Sequence, residues 1–248
     1  MLWVLFHSTV FVFLTVLTQI GGVAWLLSRL FRWKVPAFLV FYVIFSIASV
    51  WIAPGFGRVA LSCFESGPLK VQSWMYCALN RTYVAPDLRD ILVSTAEEMD
   101  RRFPGTETVV LDANFPFLNG FPLLPHLSHD DGEKVDLAFY CEDETGYLPG
   151  ATRSPIGYFA FERGPSECEP VWPTLRWNFD ALQPLWRDYE LEHARNRMVM
   201  QILSRHQRVG KLFVEPHLVR TLDVQHPNIR FQGCRAARHD DHIHLQLK

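Results

Sequence analysis

The chain has 248 residues, a formal net charge of −2 and a near-zero mean hydropathy, an average that conceals a sharp division of the sequence. No Asp, Glu, Lys or Arg occurs before Arg29, and none occurs between Lys34 and Arg58. Setting aside the three basic residues between those runs leaves 21 basic against 26 acidic residues, an acidic balance that argues against nucleic acid as a partner.

The runs Leu2 to Leu27 and Val35 to Ile52 each approach the ~20 apolar residues that a helix needs to cross a bilayer, and they predict a transmembrane helical hairpin over residues 1–53. Its connector, Ser28-Arg29-Leu30-Phe31-Arg32-Trp33-Lys34, is basic, which by the positive-inside rule puts it in the cytoplasm and both ends of the hairpin outside. A cleaved signal peptide would carry its basic residues before a shorter apolar core. The expectation is a two-span protein of the cytoplasmic membrane, its C-terminal domain on the periplasmic side and its hairpin open to a membrane-protein partner. Cys63, Cys77, Cys141, Cys168 and Cys234 all fall on that outer side, where disulfides persist. Cys63 with Cys77 and Cys141 with Cys168 would close short loops, buried reduced cysteines are the alternative, and an odd number leaves at least one thiol unpaired within the chain.

Residues 54–105 read as an irregular connector with a short helix around Val71 to Leu79, followed by the first helix of the outer domain. Asp87 can cap that helix, and Leu88, Ile91, Leu92, Ala96, Met99 and Phe103 keep helical spacing up to the stop at Pro104-Gly105. The core, residues 106–248, begins with a strand at Thr108 to Leu111. Two Pro and a Gly then keep Asn114 to Leu124 irregular. Val135 to Tyr140 reads as a buried strand, and Cys141 to Pro173 as a long loop. A helix is expected from Asp180 to Arg205 with a break near Pro184, presenting Tyr189, Ala194, Met198 and Ile202 on one face. A strand at Val209 to Val214 and a turn at His226-Pro227-Asn228 lead to the C-terminus. The order predicts an α+β fold, a small antiparallel sheet with flanking helices behind the hairpin.

Two clusters carry the chemistry. In Arg238-His239-Asp240-Asp241-His242-Ile243-His244, a strand would put His242 and His244 on one face and His239 and Asp241 on the other. Two imidazoles alone do not complete a catalytic zinc site, which wants three protein ligands and a water. The partner cluster is His126-Leu127-Ser128-His129-Asp130-Asp131-Gly132-Glu133-Lys134-Val135-Asp136, where Gly132 is free to turn the chain. His193 and His206 have no second ligand type at metal spacing and read as surface residues.

His129-x6-Asp136 resembles the first motif of the zinc peptidases that include D-Ala-D-Ala carboxypeptidases, murein endopeptidases and the hedgehog signalling domain. The tail His239-Asp240-Asp241-His242-x-His244 is similar to the closing motif of the penicillin-insensitive murein endopeptidases, which also have a His three before the first ligand, here His126. The resemblance implies Zn2+ held by His129, Asp136 and His244 with a water in the fourth position. It implies that His242, or Asp241 in the carboxypeptidase manner, serves as base or transition-state stabiliser. His126, Ser128, His239 and Asp240 would support the imidazoles or touch substrate, and Arg153 would contact substrate. The carboxypeptidases have Ser where this chain has Leu127 and use an upstream Arg to clamp the substrate carboxylate, whereas no Arg lies between Arg102 and Arg153 here. The resemblance therefore implies hydrolysis of peptide cross-links between peptidoglycan stems, with a carboxypeptidase or a non-catalytic wall- or protein-binding zinc module as alternatives.

Overall fold

A computed structural model describes all residues, Met1 to Lys248, as an α+β protein with small sheets and flanking helices. Its residues group into two compact units, one of Met1–Ser62, Trp74–Arg89 and Asp112–Lys134, the other of Cys63–Ser73, Asp90–Leu111 and Val135–Lys248.

The first unit holds the apolar helices. Lys34–Ile52 continues through a 3-10 turn, Ala53–Phe56, and this 23-residue stretch is long and apolar enough to cross a membrane. The earlier run does not form one continuous helix. It makes Leu2–Thr18, shorter than a span, and Gly21–Ser28. The break has a local cause: Thr15 and Thr18 turn their hydroxyls back onto Phe11 O and Leu14 O, Gln19 takes a φ of 66°, and the Thr18 hydroxyl accepts from Gly21 N. After the long apolar helix Lys34–Ile52, the buried Arg58 reaches the segment that carries the first histidine cluster. Its guanidinium donates to Phe115 O, to Asn119 Oδ1 (2.6 Å) and to Asp130 O (2.9 Å). Gly132, at φ 88°, lets the chain pass so close to Arg58 that a Cβ there would lie 3.2 Å from its Nε.

The second unit is built on a six-stranded sheet in the order Ile229–Arg230, Val209–Phe213, His242–Leu247, Lys134–Ala138, Thr108–Val110, Leu69–Val71. The sheet is mixed rather than antiparallel: both edge pairs run parallel, because each edge strand arrives through a crossover. Its two central strands are those that carry the predicted ligands, and the alternate residues Ile243, Leu245 and Leu247 of the closing strand go into the core.

Helix Pro86–Arg102 forms as its spacing predicts, with Leu88, Ile91, Leu92, Ala96 and Met99 buried. The next helix does not start at Asp180. Gln183–Leu185 is a 3-10 turn and Glu190–Leu191 pairs with Cys141–Asp143, which with Gly146–Leu148 forms a second, three-stranded sheet inside the expected loop. The helix is His193–Arg205, begun by the Glu192 carboxylate accepting from Arg195 N (2.5 Å). Its buried face is Asn196, Val199, Met200 and Leu203, not Ala194, Met198 and Ile202. Asn196 decides that face: its side-chain amide accepts from Tyr140 N (3.0 Å) and donates to Tyr140 O (2.8 Å), tying helix to sheet. A short helix, Pro216–Thr221, has no counterpart in the sequence reading. The expected Cys141 to Cys168 bond is absent. Cys168 bonds Cys234, Cys141 is a buried free thiol, and Cys63 and Cys77 are both disulfide-bonded.

Candidate metal centre

His129 sits at the end of the loop that Arg58 holds. It is buried, and its Nδ1 lies 2.8 Å from Ala113 O, an arrangement that fixes the ring and leaves Nε2 as the ligating nitrogen. Asp136, wholly buried in a central strand, points one carboxylate oxygen at His244 Nδ1 (2.9 Å) and accepts from the Tyr158 hydroxyl on the other (2.8 Å). His129, Asp136 and His244 each offer one ligand atom, and the three atoms lie within 4.8 Å of one another. Zinc bonds of ~2.0–2.1 Å in a tetrahedron set ligand atoms ~3.3–3.5 Å apart, and a group within 4.8 Å could hold such an ion. Two imidazoles and a carboxylate leave the fourth position open, as a catalytic site requires.

His242 stands beside them. Its Nδ1 is 2.6 Å from Asp241 Oδ1, its Nε2 is 3.6 Å from Asp136 Oδ1, and the Tyr158 ring meets it edge-on at 5.0 Å. Burial lowers the pKa of His242, but the carboxylates of Asp136 and then Asp241 outweigh burial and raise it to about 9. Two buried carboxylates thus hold a proton on the nearest imidazole, and a bound cation would take over that balancing role.

Asp241 does not face open space as a free base. One oxygen meets His242 and the other accepts from Phe159 N (2.6 Å), so it holds His242 in place. The predicted opposition of faces fails for His239, because the strand begins only at His242. Its ring lies 5.0 Å from that of His242 and 5.6 Å from that of His244. Asp240 does not orient an imidazole either. Both of its oxygens bind Arg238, and burial raises its pKa to about 6 against the pull of that guanidinium. Ser128 is exposed at the turn, and Arg153 pairs with Glu162 at 2.9 Å. His193 is exposed and His206 half-buried.

His126 has partners that no motif announced. Its Nδ1 is 2.9 Å from Asp112 Oδ2, Asp112 is gripped by Arg81 through both oxygens, and the His126 ring lies 5.4 Å from that of His129. Burial raises the pKa of Asp112, yet Arg81 and His126 more than compensate and leave it below the usual carboxylate value. Asp112 lies two residues past the buried strand Thr108–Val110, and a carboxylate in that place is the one available signal. Tyr158 carried none.

Tyr158→Phe deletes the donor to Asp136 and should weaken zinc binding about 10- to 100-fold, the usual effect of losing such a support. Competition with a chelator of known affinity measures it, and unchanged affinity would remove Tyr158 from the site.

No family model matches the chain, and no curated protein matches it.

Proposed function

We propose that the protein is a membrane-anchored zinc peptidase that hydrolyses peptide cross-links of peptidoglycan. The observation that carries the reading is the buried His129, Asp136 and His244 trio with a fourth polar side chain, His242, aimed at it. Zinc bound there would acidify a coordinated water towards a pKa of ~7 and polarise the scissile carbonyl. The chain's own residues supply the rest. Ala113 O fixes the His129 ring, the Tyr158 hydroxyl takes one oxygen of Asp136 and leaves the other towards the ion, and Asp241 turns Nε2 of His242 to where a proton is exchanged or an oxyanion held. His126 presents the ring edge opposite Asp112 beside His129.

The compartment follows from charge. With the basic connector in the cytoplasm, Lys34–Phe56 would cross the cytoplasmic membrane with the interrupted run Leu2–Thr18 and Gly21–Ser28 as the other arm of the anchor, and the trio would face the periplasm, where the wall is. The hairpin's exposed apolar sides are open to lipid and to a membrane-protein partner.

Incubation of the zinc-loaded protein with cross-linked muropeptides, followed by chromatography, should turn dimers into monomers. Release of terminal D-Ala alone would assign a carboxypeptidase instead. No turnover by a protein that holds zinc stoichiometrically would leave a binding module.

A further inference from the structure

A cavity of about 370 Å³ in the second unit belongs to none of the groups above except Arg153 and Arg238. Its wall contains Glu162, Arg187 and Trp186. The Glu162 side chain is only 13% exposed and pairs with Arg153 at 2.9 Å. Apart from that one partner its carboxylate receives no hydrogen bond, and burial raises its pKa to about 7 although Arg153 pulls it down. A buried carboxylate with a single donor is short of compensation.

The guanidinium groups around it differ in how far they are used. Arg238 is spent on Asp240 and on Asn178 Oδ1 (2.8 Å), and stacks 4.1 Å over Phe161. Arg153 is spent on Glu162 and on Tyr189 O (2.6 Å). Arg187 uses one terminal nitrogen on the Tyr189 hydroxyl (2.9 Å) and has no carboxylate partner. The cavity therefore sets a carboxylate with a single donor, Glu162, and a guanidinium without a carboxylate partner, Arg187, into one recess, whose wall also carries Asp180 and the exposed Arg163–Asp188 pair (3.6 Å). Trp186 is fixed in its wall by Nε1 donating to Phe159 O (2.8 Å).

The recess adjoins the residues beside the metal centre. A smaller pocket shares Arg153, Ala160 and Glu162 with it and has Asp241 in its own wall. The Glu162 N–H also donates to Asp240 O (2.8 Å).

We infer that this cavity is a subsite for a small zwitterion, an ammonium and a carboxylate on one carbon as at a free amino-acid end, with the ammonium on Glu162 and the carboxylate on Arg187. That the ligand is part of a wall peptide rests on the peptidase reading; the binding does not. An amino-acid end seated here would anchor a stem peptide on the Asp241 side of His242.

The test is a titration of the full chain in detergent micelles, treated with chelator so that neither metal nor hydrolysis enters. The readout is the indole N–H signal of Trp186, identified among eight tryptophans by its loss in Trp186→Phe. The probes are D-alanine, N-acetyl-D-alanine, which lacks the ammonium, and D-alaninamide, which lacks the carboxylate. D-Alanine should shift the signal saturably, at concentrations at least tenfold below those that either analogue needs. Glu162→Gln should abolish the preference over N-acetyl-D-alanine, and Arg187→Gln the preference over D-alaninamide. Equal responses to all three probes, no response to D-alanine, or preferences that survive both substitutions in folded variants would overturn the subsite. A protein that binds D-alanine yet leaves muropeptides uncut would keep the subsite and lose the peptidase, and the reverse pattern would do the opposite.

Discussion

Asp136→Ala is expected to strip the protein of zinc and to leave cross-linked muropeptides uncut. Asp136 joins the trio through one oxygen 2.9 Å from His244 Nδ1, and its other oxygen is the acceptor for Tyr158. Without it two imidazoles remain, one ligand fewer than an open zinc site needs. Affinity should fall by more than the about 100-fold that follows loss of a supporting residue, and turnover should fall to background because no acidified water is left. Asp136→Asn separates charge from shape. The amide still fills the strand position and can meet Tyr158, but it offers zinc a neutral oxygen, so it should fold like the parent and still lose metal. Elemental analysis of the dialysed proteins decides the matter. One equivalent of zinc retained in both folded variants would refute the trio.

The sequence singled out His129, Asp136 and His244, which the structure groups, because their residue types are rare together and their order is simple: a His and an Asp astride a glycine turn, and a His-rich end. Local periodicity was enough to place Asp136 and His244 on strands, and those strands are neighbours at the centre of the sheet. What lay beyond it depends on contacts distant in sequence. Arg58 reaches Asp130, Arg81 reaches Asp112, and Tyr158 reaches Asp136, and none of these pairs has a spacing that periodicity can read. The roles of Asp240 and Asp241 turned on where the last strand begins, because alternation of faces applies only inside a strand. The helix expected at Asp180 begins at His193 because Glu190–Leu191 pairs into a sheet, and its inward face differs from the apolar one because Asn196, a polar residue, is buried for its hydrogen bonds. Hydropathy shows that the run Leu2 to Leu27 is apolar but not that it is interrupted, since the Thr15, Thr18 and Gln19 bonds that break it leave no trace in it.

The second large effect concerns stability and activity together. Asp112→Ala should lower stability by about 3–5 kcal/mol, the usual effect of removing one partner of a buried ion pair. For a chain of this size that corresponds to a fall in Tm on the order of 6–20 °C. Replacing both partners, Arg81→Met with Asp112→Leu, should restore most of the loss, since a buried pair exchanged for apolar side chains of similar volume is often neutral. Activity should not follow. In both the single and the double variant His126 loses the acceptor 2.9 Å from its Nδ1, and turnover should stay about 10- to 100-fold down. The pair also sets an acid limit. The folded pKa of Asp112 is depressed, so its contribution is present above the ordinary carboxylate value of ~3.9 and disappears only as pH falls through the lower folded value. The difference in Tm between parent and double variant should therefore be flat from pH 5 to 8 and turn in favour of the variant in stronger acid. Thermal unfolding in micelles, set beside muropeptide hydrolysis at 25 °C, separates the two effects. Recovery of activity along with stability in the double variant would show that Asp112 serves the fold alone and that His126 needs no anchor.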